Sequence, residues 1–306
     1  MKIYLITGVA GFLGSRLAND LLSAGHKVIG IGRSEKLERL TEILLNENFT
    51  YLKGSISVQL LSQLEGITFS GIFHLASQQP SSSQVDYQTY YQSNVETTRI
   101  LIEFFKHRTL DFFIYASTVS VFGKKRDNVI DENSIPEPTN YYSLTKYMSE
   151  NILRIESEKL KCKVIVIRFQ SIFGKDDGYG IVHTFYTKLK KNEDVELFSK
   201  GMISRNLIHI DDAVQIMLKC AEKYSTMENF ELFNAASIKS VKTYDIASLI
   251  KKIILSNSNI ICSDKKYIFD WDVFVNISKA KAKLDFLPAS MEDRICQYIK
   301  QSEDVI

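Results

Sequence analysis

The stretch TGVAGFLG, residues 7–14, decides the fold. It follows the apolar segment KIYLIT (2–7), which is typical of a buried strand, and leads into the amphipathic segment SRLANDLLSAG (15–25). Its glycines permit the close backbone approach of a tight strand-to-helix turn, behind which the helix offers free amides and a positive dipole end. The stretch therefore predicts binding of a dinucleotide pyrophosphate. The residues predicted to contact the dinucleotide here are Gly8, Gly11, Phe12, Leu13 and Gly14.

Short β-branched segments alternate with helical ones through the first half of the chain. The predicted strands are KIYLIT (2–7), KVIGI (27–31), GIFHLA (71–76), FFIYAS (112–117) and KVIVIRF (163–169). The predicted helices between them are 15–25, 94–107 and 142–158. Strands that are apolar nearly throughout and that alternate with helices predict an α/β fold with a Rossmann-type doubly wound parallel sheet.

The pattern changes after about residue 170, where loops lengthen and predicted strands become sparse. We predict a dinucleotide-binding domain over residues 1–170 and a smaller C-terminal α/β substrate-binding region over 171–306. The chain is expected to return to the first domain around 205–222. A closing helix near 290–301 is predicted to begin with a capping box from Ser290 to Asp293.

The composition disfavours several classes of function. The chain has 306 residues, 45% hydrophobic and 24% charged, and its net charge of +2 is interspersed, which argues against nucleic-acid and membrane partners. No apolar run approaches the roughly 20 residues of a membrane-spanning helix. The four cysteines are far apart and lack metal-ligand spacing, so we expect reduced thiols, no metal and a cytoplasmic protein.

The end of the second predicted strand bears on the choice of dinucleotide. A Rossmann site for NAD usually has an acidic residue there, bonded to the ribose 2′-OH. This chain instead has Gly32, Arg33 and Ser34, so no carboxylate repels a 2′-phosphate and a guanidinium is available to pair with one. Arg33 could equally be a solvated loop charge. The feature predicts NADP(H) as the preferred cofactor, with NAD(H) as the alternative.

A second set of residues is typical of hydride-transfer chemistry. The segment STVSVFG (117–123) follows a predicted strand, and Tyr142 precedes Lys146 by one helical turn. Hydride transfer to or from a nicotinamide must be matched by a proton on the carbinol oxygen, and an ammonium lowers the pKa of a neighbouring phenol. Taken alone, Tyr142 and Lys146 would be an ordinary helical pair. Together with the glycine turn and the strand-end hydroxyls, they predict a proton-transfer site.

These motifs resemble the extended short-chain dehydrogenase/reductases, specifically the NAD-dependent epimerase/dehydratase group, and the resemblance runs nearly end to end. TGVAGFLG resembles the family's TGxxGFxG, GIFHLAS (71–77) its HLAA, STVSVFG its SSxxVYG, and YYSLTK (141–146) its YxxSK. Farther on, RFQSIFG (168–174) resembles RxxNxxG, SRNLIHIDDA (204–213) resembles RDFIHVDDxA, and NISKAKAKLDFLP (276–288) resembles DxSKAxxxLGWxP. The last motif favours a nucleotide-diphosphate sugar as the substrate over a steroid or phenylpropanoid.

The resemblance implies roles for particular residues. It implies that Thr118 orients the substrate oxygen, that Tyr142 is the acid/base and that Lys146 is its partner. The implied cofactor contacts beyond the glycine turn are Arg33, Ser34, Ser55, Ile56, Leu75, Ala76, Ser77, Asn94, Tyr142 and Lys146. The implied substrate contacts are Gln79, Thr118, Ser171, His183 and Arg205, with Arg205 on the diphosphate. The resemblance also implies a homodimer formed through the helices 94–107 and 142–158.

Departures from the family pattern narrow the function. Val119 and Ser120 stand where the 4,6-dehydratases carry Asp-Glu, and neither can supply that acid/base chemistry. Ser55 replaces the aspartate that normally meets the adenine, and Ser171 replaces the usual substrate-side asparagine. His74 and His209 are expected to be structural, and Asp211 and Asp212 to begin a helix and not to bind a metal.

Three functions remain open from the sequence. The leading hypothesis is an NAD(P)-dependent reductase of a 4-keto sugar nucleotide, with Tyr142 as the proton donor. The second is a nucleotide-sugar 4-epimerase of the UDP-hexose type with tightly bound NAD. The third is a non-catalytic dinucleotide-binding sensor, which the intact Tyr-xxx-Lys pair disfavours. The absence of an acidic residue at position 32 is what favours the reductase over the epimerase.

Overall fold

The computed structural model describes residues 1–80, 85–124, 129–266 and 271–303. The chain forms two compact units. The first unit comprises Met1–Gly123, Ile135–Arg168 and Val214–Phe233, and the second comprises Lys124–Ser134, Phe169–Ala213 and Asn234–Ile306. The division into domains at residue 170 stays a prediction.

The elements alternate as in an α/β protein. The strands are β1 (Ile3–Thr7), β2 (Lys27–Gly32), β3 (Phe49–Lys53), β4 (Gly71–His74), β5 (Phe112–Thr118), β6 (Val129–Ile130), β7 (Lys163–Phe169), β8 (Ser171–Phe173), β9 (Val195–Leu197), β10 (Ser204–Arg205), β11 (Leu207–His209), β12 (Phe230–Ala235), β13 (Val241–Lys242), β14 (Ile260–Cys262) and β15 (Phe274–Val275). The helices are α1 (Phe12–Ser23), α2 (Val58–Ser62), α3 (Tyr87–Tyr90), α4 (Thr97–Phe105), α5 (Tyr141–Glu156), α6 (Gly180–Lys190), α7 (Ile210–Lys223), α8 (Thr243–Ile253), α9 (Ser278–Leu284) and α10 (Met291–Glu303).

A seven-stranded sheet in the described residues has the order β12-β7-β5-β4-β1-β2-β3. The pairs β1–β2, β1–β4, β2–β3 and β4–β5 are parallel, and β1 lies in register with Lys27 to Ile31 of β2. The inner strands are buried along almost their whole length, which is why their sequences are continuously apolar. The sequence patterns missed β3 and β12 because these two edge strands mix polar with apolar residues.

Two helices differ most from the predicted bounds. The first, α1, begins at Phe12 within the glycine turn, three residues before the amphipathic pattern becomes visible. The predicted helix 94–107 becomes regular only at Thr97, where α4 begins. Its first three residues belong to a π-helical segment at Tyr91–Glu96, which follows α3 and contains the buried Asn94. A π-helical turn accommodates an extra residue and commonly occurs at functional positions, and periodicity alone cannot reveal it.

Each unit has its own apolar core. In the first unit, strand residues such as Leu5, Ile72, Phe113 and Val166 pack with Leu101, Phe105 and Leu153 of the helices. In the second unit, α6, α8 and α10 contribute Val182, Leu189, Ile246, Ile250, Ile295 and Tyr298.

Within the described residues, no helix combines the length and apolar composition needed to cross a membrane.

The glycine turn after β1 is closed by direct backbone packing. Gly8 has φ +73°, and a Cβ there would lie 2.8 Å from the amide nitrogen of Ala76. A Cβ on Gly14 would lie 2.8 Å from Cα of Val9 and closer still to the carbonyl oxygen of Gly8. The start of α1 can therefore pack on the turn only without side chains at these positions.

Gly14→Ala should destabilise the protein by about 3 kcal/mol, because its Cβ meets backbone that cannot move aside. Gly25→Ala is a matched control: Gly25 has φ +77° but nothing within 4 Å of an added Cβ, so only the left-handed conformation is penalised. That penalty is about 1 kcal/mol. Urea denaturation measures both, and equal losses for the two variants would contradict the proposed backbone packing.

Candidate active site

The helix α5, which carries the predicted catalytic residues Tyr142 and Lys146, has a well-defined start. The Oδ1 of Asn140 accepts a hydrogen bond from the Ser143 amide at 2.9 Å, and the Asn140 amide donates to Ser143 Oγ at 3.4 Å, which is a reciprocal capping box. The helix packs against β5 and against the turn Val119–Phe122 that follows it. This packing places Tyr142 and Lys146, in the first two turns of α5, in the same unit as Thr118 at the end of β5.

Lys146 is a buried cation. Its side chain is 2% exposed, and its Nζ lies 4.2 Å from the ring centroid of Tyr115 in β5. Burial lowers the pKa of Lys146 to about 7, against the opposing effect of Glu150. The energies of the charged and neutral forms of Lys146 are therefore close near neutral pH.

The hydroxyls at the end of β5 have different partners. Ser117 is buried and donates to a carboxylate oxygen of Glu150. The Oγ1 of Thr118 accepts from the Ser120 amide at 3.1 Å and lies 3.0 Å from Ser120 Oγ. Because the Ser117 hydroxyl is engaged in the interior, Thr118 and Ser120 present the half-buried hydroxyls at the carboxyl edge of the sheet. The role of Thr118 as the substrate-orienting hydroxyl stays a prediction.

A buried ion pair supports this part of the site, and sequence reasoning missed it. Arg168 in β7 donates to both carboxylate oxygens of Glu150, with the shortest N–O distance at 2.7 Å, and both side chains are at most 4% exposed. The guanidinium also lies 4.6 Å from the ring centroid of Phe122. The available signal was an arginine within the otherwise apolar segment KVIVIRF and a glutamate one turn after Lys146.

The two adjacent tyrosines have different surroundings. Tyr142 is half-buried, and its ring centroid lies 6.3 Å from that of Tyr90. Tyr141 is 52% exposed, and its ring packs edge-on against Tyr87 at 5.5 Å. The neighbours are therefore distinguishable by environment, which makes Tyr141 a control for Tyr142.

The predicted dinucleotide loop has the features that a pyrophosphate needs. The N-cap of α1 is Gly11, and no side chain caps the helix, so its first-turn amides are not used by a capping side chain. The Oγ1 of Thr7 accepts from the amides of Leu75 and Ala76, at 3.2 and 3.1 Å, and holds the segment after β4 against the turn. The turn thus lies against Leu75 and Ala76, and these residues fit a dinucleotide.

A buried hydrogen-bond chain continues from this turn. Because Thr7 Oγ1 already accepts two amides, its proton goes to Nδ1 of His74 at 2.7 Å. Nε2–H of His74 then donates to Thr98 Oγ1 at 2.9 Å, and Thr98 donates to the Asn94 carbonyl at 2.7 Å. Burial, aided by Lys146, lowers the pKa of His74 to about 3, so the ring stays neutral. His74 is a structural connector, as expected.

Asn94 joins this chain to the catalytic helix. Its Oδ1 accepts from the Gln78 amide at 2.8 Å, and its Nδ2 donates to Thr145 Oγ1 at 2.9 Å. Ser149 also donates to the Asn94 carbonyl, at 3.0 Å. The π-helical segment therefore connects the residues after β4 with the side chains of α5 that flank Lys146.

The remaining predicted contacts fall in several places. Arg33 and Ser55 are exposed, Ser34 donates to the carbonyl of Lys36 at 2.8 Å, and Ile56 is 7% exposed. Gln79 is exposed and donates to Ser77 Oγ at 3.0 Å. These lie in the first unit, whereas Ser171, His183 and Arg205 lie in the second. Arg205 donates to the Trp271 carbonyl at 2.8 Å, and Ser171 is exposed at the start of β8. All these roles stay predictions.

His183 belongs to a cluster that the sequence did not indicate. Its Nδ1 lies 3.2 Å from the Tyr298 hydroxyl and 3.6 Å from Oδ1 of Asp177, which is 3% exposed. Burial raises the pKa of Asp177 to about 6, with the backbone amides and His183 opposing that rise. Among the described residues, no group of three or more His, Cys, Asp or Glu side chains is placed to hold a metal ion.

A parallel sheet of this order, a glycine turn before α1 and a Tyr-xxx-Lys pair beside β5 define a dinucleotide-binding Rossmann protein of the short-chain dehydrogenase/reductase type. The chain belongs to the NAD dependent epimerase/dehydratase family, whose model matches residues 4–236. The predicted family resemblance and fold class are therefore confirmed.

Relatives match over nearly the whole chain. A Bacillus subtilis (strain 168) protein described as the uncharacterized UDP-glucose epimerase YtcB is 29% identical over 98% of this chain and 97% of its own. The UDP-glucose 4-epimerase of Thermotoga maritima, solved with UDP-glucose, is 25% identical with a TM-score of 0.86 over 99% of each chain. The UDP-glucuronic acid 4-epimerase of Bacillus cereus, solved with NAD, is 26% identical with a TM-score of 0.83 over 98% of this chain and 99% of its own.

Tyr142→Phe should lower turnover by at least about a hundredfold, the usual contribution of a general acid/base, and leave dinucleotide affinity nearly unchanged. Tyr141→Phe removes the same atom from the exposed neighbour and should keep turnover within a few-fold of the wild type. Steady-state rates and cofactor titrations measure both effects. Equal losses of turnover in the two variants would rule out the assignment of Tyr142.

Asp177→Asn should alter how stability depends on pH. The pKa of Asp177 is raised to about 6 in the folded chain, so its favourable contribution is present below about pH 4 and is lost as the pH rises to 6. The variant escapes that loss and should gain up to about 3 kcal/mol relative to the wild type across this interval. Urea denaturation at several pH values measures this, with exposed Asp176→Asn as the control. Parallel wild-type and Asp177→Asn curves would contradict it.

Proposed function

We propose that this chain is a nucleotide-sugar 4-epimerase that acts on a UDP-hexose or UDP-hexuronate and retains NAD between turnovers. The observation that carries the proposal is the buried Lys146, one turn after Tyr142, on a helix packed against the strand that ends in Thr118. This arrangement suits reversible proton transfer at a carbinol. The 4-epimerase descriptions of the relatives support C4 as the reacting carbon and UDP-sugars as the substrate class.

The chain's own residues account for the proton side of the reaction. Gly8, Gly11 and Gly14 would hold the pyrophosphate of a nicotinamide cofactor, and that cofactor would supply a reversible hydride acceptor for C4. Tyr142 as phenolate takes the proton of the 4-hydroxyl and later returns it to the same oxygen, so no proton or electron is consumed overall. Thr118 donates a hydrogen bond to that oxygen and stabilises its developing charge. The positive charge of Lys146 favours the phenolate of Tyr142.

The turn after β5 argues against a dehydratase. Elimination of water from a sugar requires an acid and a base beside the reacting carbons. Val119 is aliphatic and 4% exposed, and Ser120 Oγ lies 3.0 Å from Thr118 Oγ1, within hydrogen-bond distance. Neither residue supplies a carboxylate, so the turn favours an epimerase over a dehydratase.

A 4-ketoreductase remains the second candidate, and it was the leading hypothesis from the sequence. The observation that favours it is the neutral end of β2, where Gly32 and the exposed Arg33 would tolerate the 2′-phosphate of NADPH. Both reactions would use Thr118, Tyr142 and Lys146. They differ in whether the reduced cofactor is released in each turnover. The NAD present in the Bacillus cereus enzyme favours retention.

The deciding experiment identifies the dinucleotide released when the purified protein is denatured. It then incubates the protein with UDP-glucose, UDP-galactose or UDP-glucuronic acid without added cofactor. An epimerase should release NAD and invert C4, seen by NMR, with no net change in nicotinamide absorbance. Tyr142→Phe, with its NAD content unchanged, is the control for contaminating activity. A protein without dinucleotide that inverts no sugar and oxidises NADPH stoichiometrically with a 4-keto sugar nucleotide would replace this proposal with the reductase.

A further inference from the structure

The end of β2 lacks the side chain that usually meets the adenosine ribose. In Rossmann sites for NAD, an acidic residue about 20 residues after the glycine turn accepts a hydrogen bond from the ribose 2′-OH. The last residue of β2 is Gly32, which has no side chain. Another group must therefore face the 2′ position.

The phenol of Tyr51 fills the space beside Gly32. Tyr51 lies in β3, which pairs with β2 in parallel register, and its Oη is 2.9 Å from the Gly32 carbonyl and 2.8 Å from that of Ser34. A Cβ on Gly32 would lie 3.0 Å from this oxygen and 3.2 Å from Cε2 of the ring. The phenol oxygen therefore occupies the position that a side chain at residue 32 would enter.

The hydrogen-bond capacity of this oxygen is not exhausted. A phenol has one proton, which Tyr51 donates to one of the two carbonyls, and its oxygen can still accept a hydrogen bond. Burial raises the pKa of Tyr51, so the group is neutral under ordinary conditions. A neutral acceptor can bind a hydroxyl and, unlike a carboxylate, does not repel a phosphate.

We propose that Tyr51 determines the cofactor specificity of this chain by accepting the hydrogen bond from the adenosine 2′-OH in place of an acidic residue on β2. The inference rests on the dinucleotide site of the proposed function. It removes the objection that the missing carboxylate raises against NAD. It also means that the site discriminates weakly against NADP, because a neutral phenol stands in for the usual carboxylate.

Residues 32 and 51 are therefore coupled. A Cβ at position 32 would lie 3.0 Å from the phenol oxygen, so the phenol would have to shift by a few tenths of an ångström to admit an aspartate. We therefore expect the usual acidic NAD site to form best when both residues are changed together.

The first test compares NAD with its 2′-deoxyadenosine analogue on the full chain after removal of co-purified dinucleotide. For the wild type, loss of the 2′-OH should weaken binding about threefold to tenfold, the range of one neutral hydrogen bond. For Tyr51→Phe, the two ligands should bind equally. Equal effects of the 2′-OH in both proteins would overturn the inference and leave Tyr51 as a support for the loop alone. Failure of the wild type to bind any dinucleotide would overturn the proposed site together with this inference.

The second test exchanges the pair and uses NAD and NADP as probes, with thermal unfolding to check that each variant folds. Gly32→Asp alone should bind NAD more weakly than the wild type. Gly32→Asp combined with Tyr51→Ala should recover NAD affinity and disfavour NADP by tenfold or more relative to the wild type. Tighter NAD binding by Gly32→Asp alone, with Tyr51 in place, would overturn the coupling. A wild-type protein that binds NADP a hundredfold more weakly than NAD would also overturn the inference.

Discussion

A series of buried hydrogen bonds connects the glycine turn after β1 to helix α5. It runs from Thr7 through His74 and Thr98 to Asn94, and Asn94 bonds to Thr145 of α5. Every group in it is buried, so each lost partner would leave an uncompensated polar atom in a region of low dielectric. These hydrogen bonds therefore fix the positions of side chains at the end of β1, the end of β4 and the start of α5 relative to one another.

The second constraint is the burial of charge beneath the reacting groups. Lys146, Glu150 and Arg168 are all nearly inaccessible, and only the last two form a mutual ion pair. Burial of Lys146 penalises its charged form and lowers its pKa to about 7, so its protonation can change near neutral pH. The Ser117 hydroxyl donates to Glu150, and the Arg168 guanidinium lies over the ring of Phe122. The Ser117 hydroxyl is therefore used inside the protein, unlike that of Thr118, the predicted catalytic hydroxyl.

At the end of β2, a side chain from the neighbouring strand β3 lies where residue 32 has none. The sequence predicted a preference for NADP(H) because it lacked a carboxylate at position 32. In the structure, Tyr51 from β3 fills that position with a neutral oxygen. The lack of a carboxylate at position 32 therefore does not by itself argue against NAD as the cofactor of the proposed function.

The sequence alone determined the α/β class, the glycine turn, the inner strands and the Tyr-xxx-Lys pair, because these depend on local spacing and on apolar periodicity. It did not indicate β3 or β12, the π-helical segment around Asn94, the Glu150–Arg168 pair, the Asp177–His183 cluster or the contact of Tyr51 with the end of β2. Each of these joins residues that are distant in the chain or departs from the regular helical period. Only tertiary packing decides such contacts, because the partner of a buried polar group is set by which elements become neighbours and not by the local sequence.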